Sequence, residues 1–322
     1  MTDQVSKNSR PAGKRHSVSL VSWFSQNTLR GMARRKALLG YIFVAPTILG
    51  VTVFIAGPVL FSIALSFYAW NVFQPAKNVG VENYIRMAAD SRVLVGFFNS
   101  AKFAAIAIGL QIALGLGLAL ALRTKMTSWM RTYFRTAFFL PFLLSGVATG
   151  LVFSYMLNSD FGVVNYYLSL LGFAPIRFLN SSEAALNSVI LAYMWQALGF
   201  SMIGMLGGLS NVSPDILDAA TVDGATGWNW LWHIILPLLS PTIFFMAVVG
   251  VISALQIFDQ PYAMTRGGPG DASRTMVMSL YEAAFKNMEL GYAASISVIL
   301  FIVIMAVTSV QFISGKKWVF YQ

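Results

Sequence analysis

Six long apolar stretches dominate the chain, and charged residues are nearly absent from them. A helix needs about 20 apolar residues to cross the hydrocarbon core of a bilayer, and every stretch reaches that length. The pattern therefore predicts an all-α polytopic membrane protein with six transmembrane spans. In chain order, the first to sixth spans are Leu38–Ala69, Phe97–Leu122, Thr136–Leu157, Ala184–Leu206, Leu238–Phe258 and Gly291–Ile313.

The composition agrees with a membrane protein and disfavours other classes. Of the 322 residues, 57% are hydrophobic and 11% are charged, whereas soluble domains usually carry about 25% charged residues. So few charges could not cover the surface of a soluble particle of this size. The composition thus argues against a soluble enzyme, a disordered chain and a nucleic-acid-binding protein. The chain has no Cys, which excludes disulfides, Cys-based metal sites and thiol catalysis.

The distribution of Lys and Arg predicts the orientation, because cytoplasmic loops carry an excess of both residues. Fourteen of the 22 lie before the first span, between the second and third spans, or in the C-terminal tail. Of the other eight, seven lie in three longer loops on the opposite side, and Lys102 lies near the outer end of the second span. Both termini are therefore expected in the cytoplasm. The net charge of +10 is read as a topology signal with some attraction to anionic lipid, so the expected partner is the bilayer and not nucleic acid.

The spans divide the chain into three parts. Residues 1–37 form a basic cytoplasmic tail, residues 38–315 a six-span domain, and residues 316–322 a short cytoplasmic tail. Ser17–Lys36 mixes apolar and basic residues, so it is either an amphipathic helix on the inner leaflet or a linker.

The connection between the fourth and fifth spans, at about 207–237, is unusual for a cytoplasmic loop. It has no Lys or Arg but several acids and large aromatic residues. An exposed aromatic patch of this kind is typical of a surface buried against another protein. The residues are Asp215, Asp218, Asp223, Trp228, Trp230, Trp232 and His233.

Local signals predict a helix–turn–helix within this loop. Ser213 is a good N-cap and Pro214 suits the first helical position. Gly224 permits a sharp turn after the first helix. A second amphipathic piece over 228–236 is expected to end at Pro237 and the proline that follows it. The alternative is an ordinary re-entrant or surface loop.

At these residues the sequence resembles a known family. Asp218-Ala219-Ala220, three residues, Gly224, nine residues and then Ile234-Ile235-Leu236-Pro237 are similar to the EAA motif of binding-protein-dependent ABC importer permeases. The spacing fits throughout. The one departure is Asp218, where the family usually has Glu.

Three further stretches resemble the sugar-permease branch, which includes the maltose and glycerol-3-phosphate types. The resemblance covers about residues 38–315 and implies the type I importer permease fold, called MetI-like, with a carbohydrate, sugar or polyol phosphate as cargo. The stretches are Leu140-Pro141 with Asn158-Ser159-Asp160-Phe161-Gly162 and Asn165; Trp195–Phe200; and Phe258-Asp259 with Thr265–Gly270.

The resemblance also implies the partners. In such permeases a second permease subunit completes the pore, a dimer of cytoplasmic ATPase subunits grips the EAA loop, and an extracytoplasmic solute-binding protein delivers cargo at the outer mouth of a bacterial inner membrane. The chain would then be non-catalytic and bind no cofactor, with ATP and Mg²⁺ on the partner ATPase. The chain has no G-x-x-x-x-G-K-[ST] phosphate loop of its own. Carried over to this sequence, the coupling residues are Asp218, Ala219, Ala220, Asp223, Gly224, Ile234, Leu236 and Pro237.

Polar side chains within spans are costly and usually face the protein interior. A sugar site needs amide and hydroxyl groups plus an aromatic platform. Each polar residue could instead bond a neighbouring helix. The expected substrate path comprises Tyr193, Trp195, Gln196, Phe200, Ser253 and Gln256, with Phe142 and Gly146 added by resemblance, and Gly267, Gly268 and Pro269 are expected to face the binding protein.

The sequence disfavours two other classes of membrane protein. A self-contained secondary transporter or channel would be expected to show intramembrane acids or inverted repeats, and no acid lies in the middle of any span. An intramembrane enzyme would need a metal or nucleophile motif, whereas the only two His residues, His16 and His233, lie outside the spans.

Overall fold

A computed structural model describes residues 29–124 and 126–320. The expected tail and interfacial helix fall mostly on residues 1–28, outside the described residues. The chain divides into two compact units, Met1–Leu60 and Phe61–Gln322, and each is considered by itself.

Helices account for nearly all of the regular structure. Short π-helical turns at 52–56, 231–235 and 282–286 and a 3₁₀ turn at 140–143 join some of them. Besides the helices, the described chain has one antiparallel hairpin of β1 (Tyr68–Ala69) and β2 (Lys77–Asn78). The helices are α1 Leu29–Val51, α2 Gly57–Leu65, α3 Glu82–Ala89, α4 Ser91–Arg123, α5 Ser128–Phe139, α6 Gly146–Met156, α7 Val163–Leu170, α8 Ala185–Ser210, α9 Pro214–Val222, α10 Gly227–Trp230, α11 Leu236–Leu255, α12 Asp259–Met264, α13 Met276–Tyr281 and α14 Leu290–Trp318.

The described residues of the first unit, 29–60, form one apolar helical stretch. It begins at Leu29 and continues past Pro46 to a π-helical turn at Thr52–Ala56, where the Gly57 N–H bonds the Thr52 carbonyl. The apolar helical stretch extends over Met32–Leu65. The first span therefore starts and ends a few residues earlier than the hydropathy pattern predicts.

The second unit is organised around α4, which packs along α8 and α11. Its buried apolar residues form two clusters. One contains Phe103 and Val189, and the other contains Met202, Met205 and Leu239. On each of these three long helices the clusters occupy different halves, which leaves the middle of the helices for polar residues.

The prediction of an all-α protein with six spans is confirmed, with one correction. Within residues 29–124 and 126–320, five helical stretches are long and apolar enough to cross a membrane, and a bent pair makes a sixth when it is taken as one span. The third span was expected to be one helix over Thr136–Leu157, but Ser128–Leu143 and Gly146–Met156 meet at an angle of 100°. Pro141 has no N–H to donate within a helix, and Ser145 has extended backbone angles.

Small residues allow the bent pair to pack closely on its neighbours. An added Cβ at Gly146 would lie 2.6 Å from the Asp259 carboxylate, and one at Gly150 would lie 2.7 Å from the Ala263 side chain. A Cβ at Gly199 would collide with the backbone carbonyl of Phe138. These glycines bring α6 against α12, and α8 against α5, at backbone distance.

Candidate functional site

The EAA-like loop forms the helix that its sequence predicts. α9 begins at Pro214, and the Ser213 hydroxyl accepts a hydrogen bond of 3.3 Å from the Asp215 N–H. This bond satisfies one of the amides that a helix start leaves without a partner. The predicted N-cap is therefore confirmed.

Gly224 makes the turn that follows α9. Its φ of +76° lies in the left-handed region, which is costly for residues with a Cβ. The Ala225 N–H reaches back 2.9 Å to the Ala220 carbonyl, and the Gly224 N–H lies 3.1 Å from the Thr221 carbonyl. These bonds close the end of α9 in the manner of a glycine C-cap.

The second helix of the loop does not end where the prolines suggested. α10 continues without a break through the π-helical turn into α11, so that Gly227–Met264 reads as one apolar helical stretch. Pro237 lies in the first turn of α11. The carbonyl of Pro237 cannot receive the N–H that Pro241 lacks, and the Ser240 hydroxyl donates to it instead at 2.6 Å. Local compensation of this kind makes proline tolerable in membrane helices.

Most of the predicted coupling residues lie on the outer surface of this unit. Ala220 is buried, Ile234 is half-buried, and Leu236 is half-buried against the α4–α8–α11 core. The apolar side chains Val222 and Trp228 are 87% and 73% exposed. The remaining predicted residues, Asp218, Ala219, Asp223, Gly224 and Pro237, are exposed.

Beside these residues α4, α9 and α10 enclose a groove of about 630 Å³. Asp218 from α9, Arg123 from the end of α4 and Trp230 from α10 line it. The loop therefore presents an open apolar and acidic surface next to a defined groove.

A cavity of about 250 Å³ lies between the two core clusters, lined by the middle of α4 and α8 and by the last two turns of α11. It brings together five of the eight residues that the sequence assigned to a substrate path: Phe142, Tyr193, Gln196, Phe200 and Ser253. Gln111, Ala197, Val249 and Gly250 complete its wall.

The aromatic wall of the cavity is well defined. Phe142, from the 3₁₀ turn in the bent span, stacks on Phe200 of α8 with ring centroids 5.0 Å apart and an interplanar angle of 17°. Tyr193 is buried and meets Phe103 edge to face at 5.2 Å. The bend in the third span therefore places one ring of the cavity.

Several polar groups of the cavity wall have no protein partner. The Tyr193 hydroxyl, the Ser253 hydroxyl and the Gln111 side-chain amide make no hydrogen bond to any residue in the described ranges 29–124 and 126–320. No charged side chain from these ranges lines the cavity. The cavity thus offers neutral donors and acceptors beside aromatic rings.

Gln196 is the exception, because its amide is already bonded on both sides. Its Nε2 donates to the Leu144 carbonyl at 2.6 Å, and its Oε1 accepts from Gln260 Nε2 at 2.6 Å. Leu144 lies at the break between the 3₁₀ turn and α6. The helix-to-helix bonding that the sequence left open as an alternative is thus present at Gln196, in addition to its place on the cavity wall.

Three residues assigned to the substrate path lie elsewhere. Trp195 packs on Phe153 at 5.5 Å, on another face of α8. Gln256 is exposed at the end of α11, and Gly146 supports the contact between α6 and α12. Gln111 is a polar residue within the second span that was not among the eight, and Gln260 has no signal in the sequence, because its role depends on a contact across 64 positions.

The Gly-Gly-Pro loop is an ordered turn next to α12. Gly267 has a φ of +88°, and its carbonyl accepts the Ser273 N–H. The Ser273 hydroxyl donates to the Gly268 carbonyl at 2.8 Å. Gly268 and Pro269 line a cavity of about 440 Å³ with Tyr155. These hydrogen bonds hold the loop in one shape, in which Gly267 is buried and Gly268 and Pro269 are half-buried.

A buried ion network anchors the segment behind this loop. The Arg274 guanidinium is only 3% exposed and bonds Asp271 and Glu282, the latter at 2.7 Å. Burial by itself would raise the pKa of both carboxyl groups. Hydrogen bonds from Arg92 and Arg274 lower the pKa of Asp271 below its ordinary value, and hydrogen bonds from Arg274 and Lys286 do the same for Glu282. Arg92 adds a further bond to Asp271, and Lys286 adds one to Glu282.

Comparison with known proteins supports, for most of the chain, the family that the EAA-like motif resembles. Residues 111–318 match the family model described as "Binding-protein-dependent transport system inner membrane component". The matched region contains the cavity, the EAA-like loop and the Gly-Gly-Pro loop.

Two curated relatives are transport permeases. The chain is 32% identical to the sulfoquinovosyl glycerol transport system permease protein SmoG of Agrobacterium fabrum, over 85% of this chain and 89% of the relative. It is 30% identical to the trehalose/maltose transport system permease protein MalF of Thermococcus litoralis, over 88% of this chain and 95% of the relative.

A solved structure has the same fold. It is a bacterial alginate ABC transporter in complex with an alginate pentasaccharide-bound periplasmic protein. One of its chains matches with a TM-score of 0.76 and 21% identity, covering 88% of this chain and 95% of that chain. At this identity the match supports the fold alone.

Proposed function

The chain belongs to the family of binding-protein-dependent transport system inner membrane components, and on this premise we propose that it lines the path of neutral carbohydrates in an ATP-driven importer. It is a multi-pass membrane permease subunit. Its relatives include permeases named for sulfoquinovosyl glycerol and for trehalose and maltose. These names favour an importer of carbohydrate over a self-contained transporter or channel.

The cavity between the core clusters carries the proposal for the cargo. Its unpaired Gln111, Tyr193 and Ser253 groups match the hydroxyls of a sugar, and the Phe142–Phe200 stack matches an apolar ring face. A phosphate or sulfonate would need a cationic partner in a site that excludes water. The described lining supplies none, which favours a neutral saccharide over a polyol phosphate.

We place the ATPase at the EAA-like loop. The exposed Val222 and Trp228 need a covering surface. The continuous helix from α10 into α11 gives that surface a rigid connection to the cavity, because Val249, Gly250 and Ser253 belong to α11. From Gly227 to Leu255 the helix extends over about 40 Å at the usual rise per residue. A push on the loop therefore moves the cavity wall directly.

We propose the remaining partners from the family to which the chain belongs. A second permease subunit completes the pore, and an extracytoplasmic binding protein docks at the Gly-Gly-Pro loop, at the other end of the helices from the EAA-like loop. ATP and Mg²⁺ bind to the ATPase, and this chain holds no cofactor. The excess of Lys and Arg supports an orientation with both termini and the EAA-like loop in the cytoplasm.

Stimulated ATP hydrolysis by the assembled importer tests this function. The complex is reconstituted with its binding protein and challenged with maltose, trehalose, glycerol 3-phosphate and sulfoquinovosyl glycerol. We expect a neutral saccharide to stimulate hydrolysis and Gln111→Leu to weaken that response. Stimulation by an anionic cargo alone would refute the assignment of a neutral substrate.

A further inference from the structure

Gln260 is a buried polar residue whose position needs an explanation. It lies in the first turn of α12, is 4% exposed, and does not line the cavity. Its Oε1 atom is buried without any hydrogen-bond partner in the described chain. A buried amide with half of its bonding capacity unmet costs stability that an apolar side chain would not. The hydrogen bond that Gln260 does make, to Gln196, must therefore account for the presence of a polar residue at this position.

The geometry fixes the direction of both amide groups. The Leu144 carbonyl can only accept a hydrogen bond, so the Gln196 atom 2.6 Å away must be the donor Nε2. The Oε1 of Gln196 consequently faces Gln260, which has to present its own Nε2 as the donor, also at 2.6 Å. If the Gln196 amide were flipped, its oxygen would face the Leu144 carbonyl oxygen, and its N–H group would face the N–H group of Gln260.

Gln260 is itself held in place by the backbone packing of its helix. α12 lies against α6, where a Cβ at Gly150 would be 3.3 Å from the Gln260 Cα atom. Gln196 therefore lies between two fixed points, the break in the third span and the start of α12. After these two bonds, it retains one N–H and one lone pair for a ligand in the cavity.

We infer that Gln260 is a positioning residue for the saccharide site: it fixes the Gln196 amide so that one N–H is always presented to the cargo. This inference rests on the proposed function. Pre-orienting a binding group avoids the entropy cost of ordering it when cargo arrives. Gln260 acts only through Gln196 and has no contact with the cargo itself.

A double-mutant cycle in the assembled importer tests the inference. Wild type, Gln260→Met, Gln196→Met and the double variant are compared by ATP hydrolysis, with the binding protein loaded with maltose or trehalose. Gln260→Met should raise the cargo concentration that gives half-maximal ATP hydrolysis about three- to tenfold, as expected for one hydrogen bond. The maximal rate should not change. In the Gln196→Met background the second change should add nothing, because the two residues act as one unit.

Two controls separate positioning from simple packing. Gln260→Met removes an unpaired buried oxygen, so the melting temperature of the complex should stay the same or rise. Gln311→Met removes another amide within a span. This amide lies away from the cavity and donates to the Ala247 carbonyl at 3.4 Å, so its loss should leave the cargo concentration for half-maximal ATP hydrolysis unchanged. An equal shift in Gln311→Met, or a Gln260→Met effect that persists without Gln196, overturns the inference.

A measurement without cargo keeps the inference testable if neither sugar stimulates the complex. Hydrogen exchange of the backbone amides over 140–149 should speed up in Gln260→Met and not in Gln311→Met, because the break in the third span loses its fixed partner. Unchanged exchange contradicts the positioning role. If Gln196→Met does not affect cargo stimulation while exchange still responds to Gln260→Met, the proposed sugar site fails and the positioning of Gln196 stands.

Discussion

Gly224 offers the sharpest test of the link between this chain and an ATPase. Its φ of +76° is the conformation that L residues avoid, and no atom of the described chain lies within 4 Å of an added Cβ. The cost of Gly224→Ala is therefore purely conformational, about 1–2 kcal/mol. If the ATPase binds the turn in this geometry, the dissociation constant should rise about 5- to 30-fold.

A series of side chains at position 224 separates backbone strain in this chain from a steric clash with the bound ATPase. Gly224→Asn should weaken binding less than Gly224→Ala, because Asn tolerates the left-handed region better. Gly224→Leu has the same backbone strain as Ala and no neighbour in this chain. Any additional loss with Leu must come from a surface of the partner that closes over the turn.

The assay measures binding of the purified ATPase subunits to the permease pair in nanodiscs. Gly207→Ala is the matched control, since Gly207 lies within α8 and a Cβ there also meets nothing within 4 Å. Its helical backbone accepts Ala at no cost. Equal affinities for Gly224→Ala and Gly207→Ala would refute the coupling role of the turn.

Three further perturbations address the cavity, the ion network and the orientation. Gly250→Ala should preserve uptake, because its Cβ would meet only ordinary contacts at 3.5 Å. Gly250→Phe should fill the cavity of about 250 Å³ and abolish uptake without preventing assembly, and normal uptake by this variant would exclude the cavity from the substrate path. The pKa values of Asp271 and Glu282 are lowered in the folded state, so their contribution to stability is complete above the ordinary carboxyl pKa of about 4 and is lost as the pH falls through the lower folded values. Protection of the amides over 265–289 from hydrogen exchange, relative to their intrinsic rate at each pH, should be steady from pH 7 to about 5 and fall below about 4, and a loss of protection already near neutral pH would contradict the network. In this chain without Cys, Val222→Cys should react with a membrane-impermeant thiol reagent only from the cytoplasmic side, and labelling of intact cells from outside would reverse the predicted orientation.

The long spans could be predicted because hydropathy is a local property that the bilayer imposes on each helix separately. The cap at Ser213 and the turn at Gly224 were predictable for the same reason, since each depends on the backbone preference of one residue. The residues Tyr193, Gln196 and Phe200 follow one face of a helix, and the cavity brings that face together.

The errors arose where a compensating hydrogen bond or a distant contact overrides a local signal. Pro237 and Pro241 were expected to stop the second loop helix, but a π-helical turn and the Ser240 hydroxyl satisfy the backbone there. The break in the third span had a signal in Pro141 and Gly146, which hydropathy overrode. Gln260 had none, because its partner lies 64 residues away and only the fold brings them together.

Cargo uptake into proteoliposomes provides the most direct test of the account as a whole. Vesicles contain this chain and its partner permease, either alone or with the ATPase subunits, and receive ATP on the side of the EAA-like loop and loaded binding protein on the other. We predict accumulation of a neutral saccharide only when the ATPase subunits and ATP are both present. Concentrative uptake by the permease chains alone would contradict the conclusion that an external ATPase drives this protein through its EAA-like loop.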